Sequence, residues 1–259
     1  MVTQGHLDDG TTTRASDTSA IEQALAALEK LTLEDLRPGD FLPSEAKLAS
    51  MVGVSRLTIR EATRSLVAKG YLEIRQGRRP LVLQPNGSLL SDYFSGAVRR
   101  DRQALLELLE VRMALEVHAA RLACAGATKD HLAAMAEAVR EMDAALADEQ
   151  AFHTADVRFH EALADASGNG MVRQIIQELA EPLMHSRRES YRGHRRSGED
   201  LRRVVDQHRA VLDAVRDRDD EAAGEAMRAH LGSTARDLRV ALAAGRVDDG
   251  QDDGVSASA

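Results

Sequence analysis

The sequence predicts a mainly α-helical protein that consists of two domains. The chain has 259 residues, which is enough for two domains, and aromatic residues make up only 3% of it. Ala and Leu are abundant, whereas the β-branched and aromatic residues that strands favour are scarce. No apolar run approaches the ~20 residues of a membrane span. The N-terminus also lacks the basic and apolar regions of a signal peptide, so we expect a cytoplasmic protein.

Polar and turn-forming stretches divide the chain into five segments. The two ends are rich in small and polar residues, as is typical of disordered tails. Pro85, Asn86, Gly87 and Ser88 form a cluster of turn and linker signals between two unlike segments. The predicted boundaries are 1–18 for an N-terminal tail, 19–85 for a first domain of mixed structure, 86–97 for a linker, 98–245 for a helical domain and 246–259 for an acidic tail.

The first domain is predicted to contain three helices followed by a β-hairpin. The helices lie in AIEQALAALEKL, PSEAKLASMVG and GVSRLTIREATRSL, and Gly70 ends the third as a C-cap. Two short extended runs follow, YLEIRQ and PLVLQ, which are separated by Gly77, Arg78 and Arg79. A helix, a turn containing Gly, a second helix and a basic hairpin together indicate a winged helix-turn-helix.

Basic residues form one stripe on the third of these helices. Arg56, Arg60 and Arg64 fall within about 80° of one another at 100° per residue, and Ser55 can cap the first turn. From Ser44 to Pro85 there are eight Lys and Arg against three Asp and Glu, a net charge of +5 in a chain of net charge −8. A solvated amphipathic helix would also carry such a stripe. The combination with the basic hairpin and the segregated charge favours double-stranded DNA as a partner.

The stretch PGDFLPSEAKLASMVGVSRLTIREATRSLVAKGYLEIRQG resembles the winged helix of the GntR family of bacterial transcription regulators. The resemblance implies base or phosphate contacts by Ser55, Arg56, Thr58, Arg60 and Gly77. Two positions depart from the family pattern. Ala46 stands where an Arg is common, with Lys47 beside it, and Leu57 stands where Thr or a small residue is common. We therefore also assign DNA contacts to Lys47, Leu57 and Arg78, and expect altered operator preferences.

The second domain shows long helical periodicity and almost no strand signal. In TKDHLAAMAEAVREMDAALADE, for example, apolar residues recur at steps of three and four along one face. Similar stripes run through five further stretches of the chain. This pattern predicts an antiparallel bundle of six or seven helices.

Ligand-type side chains lie on three of the predicted inward stripes. Asp156 and His160 share a face with Phe152, Phe159 and Leu163, and His208 and His230 also fall on apolar faces. Burying a carboxylate and three imidazoles without partners would be costly. A shared divalent cation resolves this cost, so these residues form a candidate metal site. A single such histidine would more often be a hydrogen-bonded core residue, and His153 is left outside the set.

Two further residues are candidates for ligand binding. Arg112 lies on an apolar stripe between Leu109 and Leu115, where its guanidinium needs a carboxylate partner. That partner is either the nearby Glu116 or the carboxylate of a bound ligand, and the sequence leaves both open. Asn169 either caps the following helix or faces the ligand pocket.

The second domain resembles the FCD ligand-sensing domain of the FadR subgroup, through ADVRFHEALADASGN, QHRAVLDAV and AAGEAMRAHL. The resemblance implies that Asp156, His160, His208 and His230 hold Zn, Ni or Mn, with Zn first, beneath a pocket for small organic acids. It also implies a homodimer on a palindromic operator, a repressor and no enzymatic activity. The rival interpretation is a metal-dependent hydrolase that carries a DNA-binding module.

Overall fold

The structure is a computed structural model, and its described residues are 11–84, 87–184, 187, 188, 191 and 200–251. The chain divides into two compact units between Leu89 and Leu90. Both units are mainly helical, as the composition predicts. None of the described helices has the length and apolarity of a membrane span.

The first unit is a three-helix domain with a short hairpin. Its elements are α1 (Thr11–Lys30), which continues into a π-helical turn (Leu31–Asp35), α2 (Glu45–Val52), α3 (Arg56–Ala68), β1 (Leu72–Glu73) and β2 (Leu81–Val82). The strands are antiparallel, with Leu72 opposite Val82. Ile59, Ala62 and Leu66 of α3 pack with Leu28 of α1 and Leu48 of α2 in the core of this unit.

The turn between α2 and α3 has the geometry that its residues predict. Gly53 ends α2 with φ 81°, in the left-handed region that favours glycine. Ser55 then caps α3 by accepting a hydrogen bond from the backbone N–H of Thr58 at 3.0 Å. Two residues therefore separate the end of one helix from the cap of the next, and this places α3 as the second helix of a helix-turn-helix.

The second unit is a helical bundle. Its described part contains seven helices, which are α4 (Ser88–Arg100), α5 (Ala104–Gly126), α6 (Lys129–Ala144), α7 (Glu149–Ala166), α8 (Gly170–Ala180), α9 (Arg202–Asp217) and α10 (Asp220–Gln251). Helix α5 packs against α7, α9 and α10, and α6 packs against α7 and α9. The large apolar core between them includes Phe159, Met135, Met142 and Leu231.

Three boundaries differ from those expected. Helix α1 begins at Thr11, inside the predicted tail 1–18, and α10 continues to Gln251, inside the predicted tail 246–259. Residues 1–10 and 252–259 of those tails, together with Pro85 at the end of the predicted first domain and Asn86 of the linker, lie outside the described residues. The rest of the linker is largely helical, because Phe94 and Val98 of α4 pack with Leu105 and Leu238. The hairpin strands are also shorter than the extended runs that predict them.

Candidate metal centre and DNA-binding helix

Three helices of the bundle bring four ligand-type side chains to one point. Asp156 and His160 lie one turn apart on α7, His208 lies on α9 and His230 on α10. All four are buried, and each offers one ligand atom within 4.8 Å of the other three. The structure thus brings together all four of the residues that the sequence predicts as metal ligands.

The shortest distances within the cluster are between atoms that can each offer a lone pair to a metal ion. Nε2 of His208 lies 3.2 Å from Oδ1 of Asp156 and 3.4 Å from Nε2 of His160. Nε2 of His160 lies 3.6 Å from the same Oδ1. The ring of His230 stacks on that of His160 at a centroid distance of 5.4 Å. The side chains therefore converge, rather than being buried separately.

The histidines of α9 and α10 are oriented by acceptors behind them. Nδ1 of His208 lies 2.8 Å from the backbone carbonyl of Val204, and Nδ1 of His230 lies 3.2 Å from Oε1 of Gln207. An imidazole that donates Nδ1–H to an oxygen keeps its lone pair on Nε2. Both rings therefore present Nε2 as the free ligand atom, which is the orientation that metal-binding histidines adopt.

The two ligands on α7 also have polar partners behind them, and both of these partners are charged. Nδ1 of His160 lies 2.5 Å from Oε2 of the buried Glu116 on α5. Arg187 donates from Nε to Oδ2 of Asp156 at 2.7 Å, which leaves Oδ1 facing the histidines. Glu116 and Arg187 were missed as partners of these ligands. They are contributed by other elements, and the periodicity of α7 carries no signal of them.

For Asp156 and His230, the electrostatics favour the protonation states that metal binding requires. Burial alone would raise the pKa of Asp156, but His160, His208 and Arg187 outweigh it and hold that pKa well below its usual range. Burial, together with the neighbouring His208 and His160, keeps the pKa of His230 well below its usual value. An ionised carboxylate and a neutral imidazole are the ligating forms.

The donor set fits a divalent transition metal. Three imidazole nitrogens and one carboxylate oxygen are borderline ligands of the kind that Zn²⁺ and its neighbours bind. Small hard cations such as Mg²⁺ prefer oxygen ligands throughout. Asp156, His160, His208 and His230 are therefore the residues that would hold such an ion.

A cavity that is partly open to solvent adjoins the cluster, and the space in it, including solvent at its mouth, is about 490 Å³. Its lining includes Asp156 and His230 of the cluster, together with Arg112 and Arg187. Arg112 pairs through Nε with Oε1 of Glu116 at 2.5 Å, so the internal partner considered for it is present. Its Nη2 atom is also buried and has no hydrogen-bond partner among the residues described. One edge of the guanidinium is therefore available to a bound molecule.

The structure selects one of the two roles considered for Asn169 and places His153 in the cavity wall. Asn169 is exposed, is not part of the cavity lining, and caps α8 by accepting from the backbone N–H groups of Met171 and Val172. Its ligand-binding role is therefore dropped in favour of the capping role. His153, which was left outside the set because its neighbours are polar, is buried and lines the cavity.

The residues assigned to DNA contact are displayed at the start of α3. Arg56, Leu57 and Arg60 are exposed, and Leu57 has 63% of its surface accessible although it is apolar. The hydroxyls of Ser55 and Thr58 lie 2.8 Å apart at the N-terminus of the helix. Arg60 makes a two-pronged ion pair with Glu45 of α2, at 3.0 and 2.8 Å. DNA would have to compete with Glu45 for this guanidinium, or bind it with Glu45 in place.

The remaining assigned residues lie on α2 and in the hairpin. Lys47 is exposed in the first turn of α2. Gly77 has φ 71°, as the hairpin tip requires, and Arg78 beside it is exposed. Arg75, by contrast, pairs with Glu73 at 2.8 Å. Lys47 and Arg78 are thus both on the surface of the first unit.

Comparison with known proteins gives two family matches. Residues 107–233 match the FCD domain, and residues 19–82 match a family described as bacterial regulatory proteins, gntR family. The two matches fall in the two compact units, one in each.

Similar proteins with names or solved structures are transcription regulators. The chain is 33% identical over 198 residues to the HTH-type transcriptional regulator LutR of Bacillus subtilis, covering 76% of this chain and 90% of LutR. It is 32% identical over 206 residues to the galactonate operon transcriptional repressor of Escherichia coli, covering 78% and 89%. A solved structure of Streptococcus agalactiae GntR superposes with a TM-score of 0.64 at 29% identity, over 83% of this chain and 99% of that one.

Proposed function

Since the chain belongs to the GntR family of bacterial transcription regulators and carries an FCD domain, we propose that a small carboxylate bound in its helical unit controls its affinity for an operator. The winged helix binds DNA, as in GntR regulators. The FCD domain is the effector-binding part of the chain. The family and the named relatives are regulators rather than enzymes, so the hydrolase interpretation is set aside.

The observation that carries this proposal is the convergence of four buried ligands beside a cavity. Each inward ligand atom belongs to a side chain whose other polar atom is engaged, by Val204, Gln207, Glu116 or Arg187. Such outer partners are what orient the ligands of a metal site. When bound, a Zn²⁺ ion, or Ni²⁺ or Mn²⁺, supplies a positive charge that attracts a carboxylate. Asp156, His160, His208 and His230 would hold it.

The cavity gives the carboxylate a second point of attachment. Arg112 lines it and has a buried Nη2 that no described residue engages. A guanidinium edge of this kind matches the oxygens of a carboxylate. One of the similar proteins is named for an operon of galactonate, which is itself a carboxylate. This supports an organic acid as the effector.

Effector binding changes operator affinity by shifting the populations of different arrangements of the dimer. A homodimer with two copies of α3 would read a palindromic operator, with the half-sites set by the spacing of the two helices. An effector that binds one arrangement of the dimer more tightly shifts the population toward it, and so changes operator affinity. Repression with release by the acid is the sign that we propose, since the galactonate relative is named a repressor.

The test is an operator titration with full-length, zinc-loaded protein. Operator DNA obtained by in vitro selection is titrated by fluorescence anisotropy in the presence of a panel of metabolite acids, with and without a chelator. We expect one class of acid to change the dissociation constant by roughly 5- to 150-fold, the range of typical allosteric coupling, and only while metal is bound. The Asp156→Ala variant should bind the operator but ignore the acid. Operator affinity that is indifferent to every acid would contradict the proposal.

A further inference from the structure

The cavity extends well beyond the metal cluster. On α10 its lining residues are His230, Ser233, Thr234 and Asp237, which span about 10 Å of helix axis at 1.5 Å per residue. On α7 it reaches His153, about one turn before Asp156. A molecule whose carboxylate sits at the metal would therefore place the rest of its carbon chain against these side chains.

His153 is buried in that wall with an unused polar atom. Only 2% of its surface is accessible, and its Nε2 makes no hydrogen bond to any part of the chain that the structure describes. Oε1 of Glu149 lies 3.8 Å from this Nε2, which is too far for a hydrogen bond. Leaving a buried polar group unsatisfied costs about 1–3 kcal/mol, so such groups call for an explanation.

Aromatic packing does not explain why this residue is a histidine. Its ring meets Tyr191 edge to face at a centroid distance of 5.4 Å, and it lies 6.3 Å from the ring of Phe152. A phenylalanine could make the same contacts without burying an unpaired nitrogen. The imidazole therefore needs a partner that the protein itself does not supply among the described residues.

The charges around His153 indicate the kind of partner. Burial lowers the pKa of its imidazole, which is then neutral at pH 7 and cannot form an ion pair with a second carboxylate. The same cavity is lined by Asp237 and by the hydroxyl residues Ser233 and Thr234. A neutral group that both donates and accepts hydrogen bonds fits this wall, and a hydroxyl is such a group.

We propose that His153 is a specificity residue that recognises a hydroxyl on the carbon chain of the effector, so that the cavity selects hydroxylated monocarboxylates over plain ones. This rests on the proposed function, in which the metal and Arg112 hold the carboxylate. Ser233 and Thr234 supply further polar side chains to the cavity lining. The preference for hydroxylated acids is thus determined by side chains that lie outside the metal cluster.

The test compares two six-carbon acids that differ in their hydroxyl groups. Gluconate and hexanoate are titrated into zinc-loaded, full-length protein by calorimetry. We expect the wild type to bind gluconate at least about tenfold more tightly, because a site that hydrogen-bonds a hydroxyl rejects an analogue that lacks it. His153→Phe should remove most of this preference while the zinc content stays at the wild-type level. His153→Gln, which keeps a donor and an acceptor, should restore part of it.

The matched control is His118→Phe, the same substitution at an exposed histidine of α5 that is not part of the cavity lining. This control variant should change neither the affinity for gluconate nor the affinity for hexanoate. Equal binding of the two acids, binding of neither acid to zinc-loaded protein, or a gluconate preference that survives in His153→Phe would overturn the assignment of His153. Failure to bind zinc at all would instead remove the proposed function, so the two failures are distinguishable.

Discussion

Arg60 is held by Glu45 in the free protein, although both side chains are about half exposed. Surface ion pairs of this kind contribute little to stability, because solvent screens them. A two-pronged contact to a guanine edge is stronger. The ion pair with Glu45 therefore does not prevent Arg60 from contacting DNA.

Replacing Arg60 by Ala should weaken operator binding by roughly 10- to 100-fold, which is the loss expected for one such base contact. Fluorescence anisotropy with the selected operator would measure it. Arg216→Ala is the control, since Arg216 is an exposed arginine of the bundle that pairs with Asp213 in a similar way. Equal operator affinity in the Arg60 variant and the wild type would show that the arginine stripe is not the reader.

Gln207 orients the ring of His230 through the acceptor that it offers to Nδ1. Gln207→Leu removes that acceptor, so the ring loses its fixed tautomer and zinc affinity should fall by roughly 10- to 100-fold. Competition with a fluorescent chelator measures this. Gln174→Leu, at a glutamine that bonds Glu178 on α8, should leave zinc affinity as it is. A Gln207 variant with unchanged zinc affinity would mean that this contact does not position the ligand.

Functional residues could be predicted from the sequence where the pattern of their own helix indicates them. Asp156, His160, His208 and His230 were found from the apolar stripes of their own helices. Their partners Glu116, Arg187 and Gln207 were not found, because the way in which one helix faces another is set by tertiary packing. His153 was passed over for the same reason, since its polar sequence neighbours gave no sign of the cavity.

For helices and strands, capping side chains predicted where helices begin better than apolar runs predicted the lengths of strands. Ser44, Ser55 and Asn169 all cap helices, as their side chains allow. The boundary between the two units falls within the predicted linker 86–97, but most of that stretch is helical and Phe94 in it packs against the bundle core. The hairpin strands came out shorter than their apolar runs, since only Leu72–Glu73 and Leu81–Val82 pair.

The turn of the helix-turn-helix depends on the backbone of Gly53. A Cβ there would meet nothing within 4 Å, but φ is 81°, so Gly53→Ala should cost about 1–2 kcal/mol through the backbone alone. Amide hydrogen exchange of the full chain should then show roughly 5- to 30-fold faster opening in α2 and α3. Gly96→Ala, inside α4 with open space around it, should instead slow exchange in α4. Unchanged exchange in α2 and α3 would show that the turn is not strained by a side chain.

For the whole molecule, the buried titratable groups make stability depend on pH. The pKa of His230 lies well below its usual value, and that of Glu116 is lowered to about 2. Burial opposes ionisation of Glu116, but Arg112 and His160 outweigh it. In both cases the folded state binds fewer protons than the unfolded state, so the free energy of unfolding must fall as pH falls. His230 acts from about pH 6.5 downward and Glu116 from about pH 4.5 toward 2.

Urea unfolding of the metal-free protein, followed by circular dichroism, should therefore show a loss of stability between pH 7 and pH 5, and a further loss below pH 4.5. Saturating zinc should raise stability most at pH 7, where protons compete least for the imidazoles. The variant His230→Asn lacks the imidazole and should show a smaller loss between pH 7 and pH 5. A flat profile over that range in the wild type would contradict the buried, neutral state of His230.

The two-unit architecture could be predicted from motifs that are local in sequence, and the family matches agree with it. The cavity could not be predicted, since its walls come from α5, α7, α9 and α10 together. The segregation of charge also belongs to this scale. The basic stretch from Ser44 to Pro85 lies in an otherwise acidic chain, which suits one unit to DNA.

The proposed control of operator affinity depends on the four converging side chains holding an ion. The metal content of the purified protein tests this most directly. After exposure to zinc and removal of free metal, mass spectrometry of the eluted ions should give about one zinc per chain, as a four-ligand site requires. The double variant Asp156→Ala/His208→Ala should give almost none while its helical content is unchanged. Zinc-free wild-type protein, or a double variant that retains one zinc per chain, would contradict the account.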